Sequence, residues 1–156
     1  MSENFDLIDS YASGPDLLQQ AVESLSESTW DLRPGPGKWS IREVVCHLAD
    51  AEVVYADRMK RVLMEDHPTL FEFDPNLGIS ALHCKQRSLP DEVALVNAVR
   101  TQMLPILRSC SESDFERTGE HSQEGTMTLR ILLERITNHV PHHVRFIEDK
   151  IRTLNA

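Results

Sequence analysis

The sequence is poor in glycine and in windows where apolar and polar residues alternate. It has 6 glycines in 156 residues, whereas a sheet protein with many tight turns would be richer in both features. Hydrophobic residues make up 40% and charged residues 26% of the chain, which is the composition of a globular protein. The sequence therefore favours an all-α fold, and we expect a single domain over residues 1–156.

Basic clusters and long apolar runs are also missing. The net charge is −9, so the chain repels phosphate backbones and anionic lipid, and we expect no nucleic acid and no membrane partner. No stretch approaches the roughly 18 apolar residues of a membrane-spanning helix. The first residues are acidic and do not resemble a secretory signal, so we expect a cytoplasmic protein.

The cysteines do not suggest a disulfide framework. Cys46, Cys84 and Cys110 are odd in number and widely spaced, and no CxxC pair is present. We interpret all three as small buried hydrophobic residues. Cys46 precedes His47 and could instead be a nucleophile, but adjacent helical residues point about 100° apart and do not face each other.

Apolar residues spaced three and four apart predict four long helices. The predicted helices cover residues 15–26, 40–65, 90–107 and 128–154. The start of the second is the best defined, because Ser40 and Glu43 have the spacing of a capping box. Pro15 is expected to begin the first helix, whereas Pro105 and Pro141 are expected to kink the third and fourth.

The connections between these helices differ in length. Residues 31–38 (DLRPGPGK) must form a loop, because two prolines and two glycines cannot continue a helix. Residues 66–89 form a long crossover connection that can cover one end of a bundle, with room for a short helix over 79–86. Residues 111–117 can form one helical turn, and the polar residues 118–124 (TGEHSQE) are predicted to form a loop.

Three of the seven histidines fall on inward positions of the predicted helices. His139 and His143 are four residues apart, which places their side chains on one face at roughly 5–6 Å. His47 lies on the edge of the apolar face of the second helix, and facing helices of a bundle can supply ligands to one core site. Buried imidazoles without partners would be costly to desolvate. We therefore predict that the three hold a divalent metal ion with an open position, the arrangement of a catalytic site.

Several neighbouring residues have more than one interpretation. His47 alone could be a core histidine bonded to a backbone carbonyl. Asp50 lies three residues later on the same side, where it can orient an imidazole or accept a proton at the site, or can simply be exposed. His142 points to another face, although an exchange with His143 as ligand stays open. The candidates for lining the pocket mouth are Trp39, Tyr55, Glu120 and His121.

Motifs of other enzyme classes are missing from the sequence. Glu43 and Glu134 are not followed by histidine three residues later, so the Glu-x-x-His motifs of di-iron bundles are not supplied. The sequence contains no Gly-rich phosphate loop, GxSxG elbow or HExxH. A closed structural zinc site would need a fourth protein ligand, and the loop candidates are His67, His83, Cys84 and His121.

Two segments resemble the DinB/YfiT-like family of metal-dependent enzymes, within the DinB superfamily. Residues 33–52 (RPGPGKWSIREVVCHLADAE) carry the family's Trp-Ser/Thr start and His-Leu-x-Asp motif in Trp39, Ser40, His47, Leu48 and Asp50. Residues 138–147 (NHVPHHVRFI) carry its HxxxH motif followed by Ile in His139, His143 and Ile147.

The resemblance implies a four-helix bundle with a long crossover connection between helices 2 and 3, and a three-histidine site for zinc or nickel. Some mycothiol-dependent relatives have Glu at the position of His139, so this chain is more similar to the bacillithiol-transferase-like branch. The family also implies a small-molecule substrate, a low-molecular-weight thiol and a homodimer. We therefore expect a thiol-dependent S-transferase in which the metal lowers the pKa of a thiol. Metal-dependent hydrolysis and a non-catalytic metal-binding or stress-response module are the alternatives.

Overall fold

This computed structural model describes residues 3–155, which contain six α-helices and three short strands. The helices are α1 (Glu3–Val22), α2 (Ile41–Met64), α3 (Pro75–Ala81), α4 (Leu89–Arg108), α5 (Glu112–Phe115) and α6 (Leu129–Leu154). Four of them, α1, α2, α4 and α6, are long enough to form a bundle. None of the described helices is long and apolar enough to cross a membrane.

Polar caps set the starts of three long helices. The Ser40 hydroxyl accepts from the backbone N–H of Glu43, and the Glu43 carboxylate accepts from the N–H of Ser40, which completes the capping box. Ser88 and Thr128 cap α4 and α6 through their hydroxyls. The predicted starts of these three helices are confirmed, and α4 and α6 run on through Pro105 and Pro141.

The predicted start of the first helix at Pro15 is wrong, because Pro15 lies inside α1. A proline removes the hydrogen bond to the carbonyl one turn earlier, which here belongs to Tyr11. That carbonyl instead accepts from Nη1 of Arg100 on α4 at 2.6 Å. Gly14 leaves space for the guanidinium, since a Cβ at this position would lie 2.1 Å from the same Nη1. A side chain from another helix thus replaces the bond that the proline removes.

The long helices are not arranged in chain order around the bundle. α1 packs against α4 and α6, and α2 packs against the same two helices. α1 and α2 therefore lie diagonally opposite each other, and so do α4 and α6. The predicted four-helix bundle is confirmed, and residues 31–38 form the predicted loop between the diagonal helices α1 and α2.

A buried ion pair crosses the centre of this bundle. The side chains of Arg100 on α4 and Glu52 on α2 are 1% and 0% exposed, and Arg100 Nε donates to Glu52 Oε1 at 2.9 Å. Nη2 of the same guanidinium donates to the carbonyl oxygen of Ile136 on α6 at 2.9 Å. Together with the Tyr11 carbonyl on α1, these contacts join all four long helices through one side chain.

The short strands form a sheet at the side of the bundle. They are β1 (Thr69–Leu70), β2 (Thr118–His121) and β3 (Gly125–Thr128). β2 pairs antiparallel with β3 and parallel with β1, so the loop predicted over 118–124 is wrong for residues 118–121 and confirmed for the turn at 122–124. Gly119 is required by the close approach of β1, because a Cβ there would lie 3.0 Å from the Pro68 carbonyl oxygen. Gly125 follows the hairpin turn with a φ of +79°, which glycine adopts readily.

The crossover between α2 and α4 is as long as predicted but more ordered. It contains β1, α3 and a 3₁₀ turn at Cys84–Gln86. The short helix predicted over 79–86 begins earlier, at Pro75, because the Asp74 carboxylate accepts from the N–H groups of Asn76 and Leu77. The segment packs against α2, where it forms part of the wall of the site described next.

Candidate metal centre

Three imidazoles from two facing helices meet in the bundle. His47 comes from α2, and His139 and His143 come from α6, where their spacing of four places both on one face. The ring centroids lie 4.7, 4.9 and 4.6 Å apart. One nitrogen from each ring belongs to a group whose members all lie within 4.8 Å of one another. The structure therefore brings together the three residues that the sequence predicts as ligands, and we call them the histidine cluster.

Burial keeps the histidine cluster uncharged at neutral pH. It lowers the pKa of His139 to about 3, with the neighbouring imidazoles adding to the effect. It lowers the pKa of His143 to about 4 by the same causes. The pKa of His47 is lowered by burial too, against the opposing charge of Asp50. Neutral imidazole is the form that binds a metal ion.

The histidine cluster has few hydrogen-bond partners. His47 Nε2 and His139 Nε2 face each other at 2.9 Å, and one of these nitrogens must carry a proton for that contact to be favourable. The Nδ1 atoms of all three rings are buried and have no partner in the described part of the chain. Unpartnered buried polar atoms cost free energy, so stability alone does not explain the arrangement. The donor set fits a divalent ion such as zinc or nickel, for which imidazole is a common ligand.

Asp50 is held by an arginine rather than by a histidine. Arg87 donates from Nη1 and Nη2 to the two carboxylate oxygens of Asp50 at 3.0 and 2.7 Å, and it also pairs with Glu92. Within residues 3–155, no hydrogen bond joins Asp50 to an imidazole. The predicted orienting contact therefore has no counterpart, and Asp50 acts on His47 through its charge.

The other candidates for metal ligands lie outside the histidine cluster. His142 is exposed, and its ring packs at 4.8 Å from the ring of Phe146. The loop residues considered as a fourth ligand also fall outside the group: His67, His83, Cys84 and His121. Among the described residues, the three imidazoles thus have no fourth protein ligand, and an ion bound by them would keep an open coordination position, as in catalytic sites.

Cys46 is not placed to act as a nucleophile. Its side chain is fully buried, and burial raises the pKa of the thiol far above neutrality. Its sulfur lies 4.0 Å from the carbonyl oxygen of Cys84. All three cysteines are free, and the predicted role of Cys46 as a buried hydrophobic residue is confirmed.

Two cavities open onto the histidine cluster. The large cavity, of about 650 Å³, reaches His143 and is lined by Trp39, Phe146 and residues 34–38. The small cavity, of about 180 Å³, reaches His47 and His139. The remaining residues of its wall come from α2, the crossover, the hairpin and α6: Ala51, Val54, Tyr55, Arg58, Glu72, Phe73, Pro75, His121, Glu124 and Arg135.

Three of the four candidates for the pocket mouth line these cavities. Trp39 lines the large cavity, and Tyr55 and His121 line the small one. Glu120 lines neither and instead accepts from the hydroxyl of Thr126 at 2.9 Å. Sequence reasoning missed Arg58, although a signal was available: Arg58 continues the helix face of His47 at spacings of four, three and four residues.

A second group of side chains in the small cavity has the composition of a metal site. Glu72, His121 and Glu124 lie within ligand distance of one another. However, Nδ1 of His121 accepts from the backbone N–H groups of Gln123 and Glu124, both at 3.3 Å. Nε2 must then carry the proton, and it faces Glu72 at 3.4 Å as a donor. A protonated nitrogen cannot ligate an ion, so this group is a hydrogen-bonded wall of the cavity.

The diagonal four-helix bundle and its histidine cluster define a class of helical proteins with a candidate metal site between facing helices. The chain belongs to the DinB superfamily, whose family pattern matches residues 11–147. That match contains all three residues of the histidine cluster.

Relatives with the same fold are known from bacilli. "Putative metal-dependent hydrolase YfiT" of Bacillus subtilis is 28% identical over 141 residues, which cover 90% of this chain and 79% of YfiT. The solved structure of YfiT, described as a four-helix bundle of unusual topology, matches with a TM-score of 0.91 at 26% identity over 99% of this chain and 90% of YfiT. A relative in Oceanobacillus iheyensis, also named as a metal-dependent hydrolase, is 27% identical over 135 residues, covering 85% of this chain and 77% of that protein.

A more distant protein shares the fold alone. The structure of a mycothiol-dependent maleylpyruvate isomerase matches with a TM-score of 0.73 at 12% identity, over 92% of this chain and 60% of the isomerase.

Proposed function

We propose that this chain is a metal-dependent enzyme in which His47, His139 and His143 hold one divalent ion, zinc or nickel. We propose further that it transfers a low-molecular-weight thiol to an electrophilic small molecule. The observation that carries this proposal is the access of two separate cavities to one histidine cluster. A transfer reaction brings two substrates to one centre, and each cavity offers room for one of them.

The ion would supply Lewis acidity, which lowers the pKa of a thiol or water beside it toward neutrality. The chain's own residues would bind and orient the reactants. Trp39 and Phe146 offer apolar surface in the large cavity. Lys38, Lys150 and Asp149 also line it, which leaves a net positive charge that favours an anionic cosubstrate. The half-buried position of the imidazoles limits the access of water to them.

Metal-dependent hydrolysis is the second candidate, and the names of the relatives in Bacillus subtilis and Oceanobacillus iheyensis favour it. Hydrolysis needs one organic substrate and a base for water. Both carboxylate oxygens of the predicted base, Asp50, accept hydrogen bonds from Arg87, so Asp50 would have to leave this pair before it could contact a water at the histidine cluster. Hydrolysis would also leave one of the two cavities without a role, so we rank thiol transfer first.

A conjugation assay separates these reactions. Purified protein with zinc or nickel is incubated with bacillithiol, mycothiol or glutathione and monochlorobimane, whose thiol conjugates fluoresce. We expect metal-dependent conjugation with one of these thiols, which His143→Ala abolishes and His142→Ala preserves. If no thiol is conjugated but p-nitrophenyl acetate is hydrolysed in a metal-dependent way, the function is hydrolysis. If neither reaction occurs, the non-catalytic module is favoured.

A further inference from the structure

Arg58 is a buried arginine without an ion pair in the described part of the chain. It is 6% exposed and lines the small cavity. Its guanidinium donates one hydrogen bond, from Nη2 to the carbonyl oxygen of Phe71, and it stacks on the ring of Tyr55 at 5.0 Å from the ring centroid. Its Nε is buried without a partner. Burying a guanidinium without a counter-ion is costly, so its position calls for an explanation other than packing.

The other buried arginines of residues 3–155 each have a carboxylate partner. Arg42 pairs with Asp31, and Arg100 pairs with Glu52. Arg58 is therefore the exception, and it is the one of the three that lines a cavity leading to the histidine cluster.

Arg58 lies on the same helix face as His47. The two residues are separated by three turns of α2, and Ala51 and Val54 lie between them on that face and also line the small cavity. Eleven residues rise roughly 16 Å along a helix. Both side chains lean toward the N-terminus, and the greater length of the arginine shortens the gap. A small molecule in this cavity can therefore contact Arg58 at one end and the histidine cluster at the other.

The acidic residues of the small cavity already have partners of their own. Glu124 pairs with Arg135 at 2.6 Å, and Glu72 faces the Nε2 of His121. The two carboxylates balance the charges of Arg58 and Arg135, but both are half-exposed. Arg58 is the charged group of this lining that keeps a buried donor, Nε, without an acceptor, so the position beside it suits an anion. A volume of about 180 Å³ is smaller than the roughly 300 Å³ of the smallest drug-sized pockets, which points to a compact anionic end group.

We infer that the small cavity binds the carboxylate of a small carboxylic acid substrate, with Arg58 as the anchoring cation and the reactive part of the substrate at the histidine cluster. A carboxylate accepts paired hydrogen bonds from a guanidinium in a planar fork, and it would supply the counter-ion that Arg58 lacks. This inference rests on the proposed function, because it names the substrate class for the same site.

The test is a ¹H–¹⁵N NMR titration of the metal-containing protein with acetate, propionate and succinate, each compared with its amide. We expect saturable shifts around the small cavity with at least one acid and none with the matching amide. Arg58→Gln should weaken binding of that acid by about tenfold or more, which corresponds to the loss of one charge-assisted hydrogen bond. Arg61→Gln is the matched control, because Arg61 lies one turn further along α2 and is 43% exposed.

Three results would overturn the inference: equal binding of acid and amide, no saturable binding of any acid, or unchanged acid binding in Arg58→Gln. The last result would mean that the acid binds elsewhere, for example directly to the ion. If circular dichroism shows that Arg58→Gln does not fold, the comparison of acid with amide on the natural chain still tests whether the small cavity binds a carboxylate. Metal content, measured on the same samples, separates the two proposals, since a protein that binds acids through Arg58 but holds no metal would refute only the proposed enzyme.

Discussion

Arg100→Met tests how far the central ion pair stabilises the bundle. Methionine keeps most of the apolar length of the side chain but removes the donors to Glu52, the Tyr11 carbonyl and the Ile136 carbonyl. The Glu52 carboxylate would remain buried without a counter-ion, and burial already raises its pKa. Breaking one side of a buried pair costs about 3–5 kcal/mol, so we expect the free energy of unfolding to fall by that amount.

The same loss of stability should also lower the melting temperature. A chain of this size loses roughly 2–4 °C per kcal/mol, so Arg100→Met should melt about 6–20 °C below the natural chain. The double variant Glu52→Leu/Arg100→Met removes both charges of this pair. We expect it to recover part of the loss, although the two backbone carbonyls still lack their donor.

Urea unfolding followed by circular dichroism measures these differences. Arg61→Met is the control, because its exposed pairs with Asp57 and Glu65 should contribute no more than about 1 kcal/mol. A loss below about 1 kcal/mol in Arg100→Met, or a double variant less stable than either single variant, would refute the reasoning.

Three further predictions follow from burial. In chelator, the protein should lose stability as the pH falls from about 6.5 toward about 4 and about 3, the pKa values of His143 and His139, because the unfolded chain binds protons that the buried rings do not. Urea unfolding measures this, and the free energy of unfolding should depend less on pH once both histidines are replaced by Asn. An unchanged pH dependence in that variant would contradict the prediction. Gly119→Ala should cost about 1–3 kcal/mol in thermal unfolding, because its Cβ would lie 3.0 Å from the neighbouring strand, whereas Gly35→Ala has open space and should be neutral. Cys46 should resist iodoacetamide in the folded protein, since burial raises the pKa of its thiol, and mass spectrometry that finds it alkylated under native conditions would count against this.

The parts of the site that depend on local geometry could be predicted from the sequence. The helical period alone places His139 and His143 on one face, and the capping box at Ser40 fixes where α2 begins and therefore where His47 points. The period of each helix does not say which helix it faces. The prediction that these helices pack against each other therefore needed the resemblance to a known family as well.

The parts that escaped prediction depend on contacts between distant residues. Pro15 has the local signature of a helix start, but its missing hydrogen bond is replaced by Arg100, which lies 89 residues from Tyr11 in the sequence. The polar strand β2 is held by pairing with Thr69 and Leu70 of the crossover, which its own four residues do not indicate. Arg58 was missed for a different reason, since a lone arginine on a helix is ordinarily exposed, and only the packed crossover makes it buried.

The central claim is that His47, His139 and His143 bind one divalent ion, and metal analysis of purified protein tests it most directly. We expect about one equivalent of zinc or nickel in the natural chain. His142→Ala should keep that metal, because His142 is exposed and lies outside the histidine cluster. His143→Ala should lose most of it. Equal metal content in all three proteins, or no metal in the natural chain after incubation with zinc or nickel, would contradict the account.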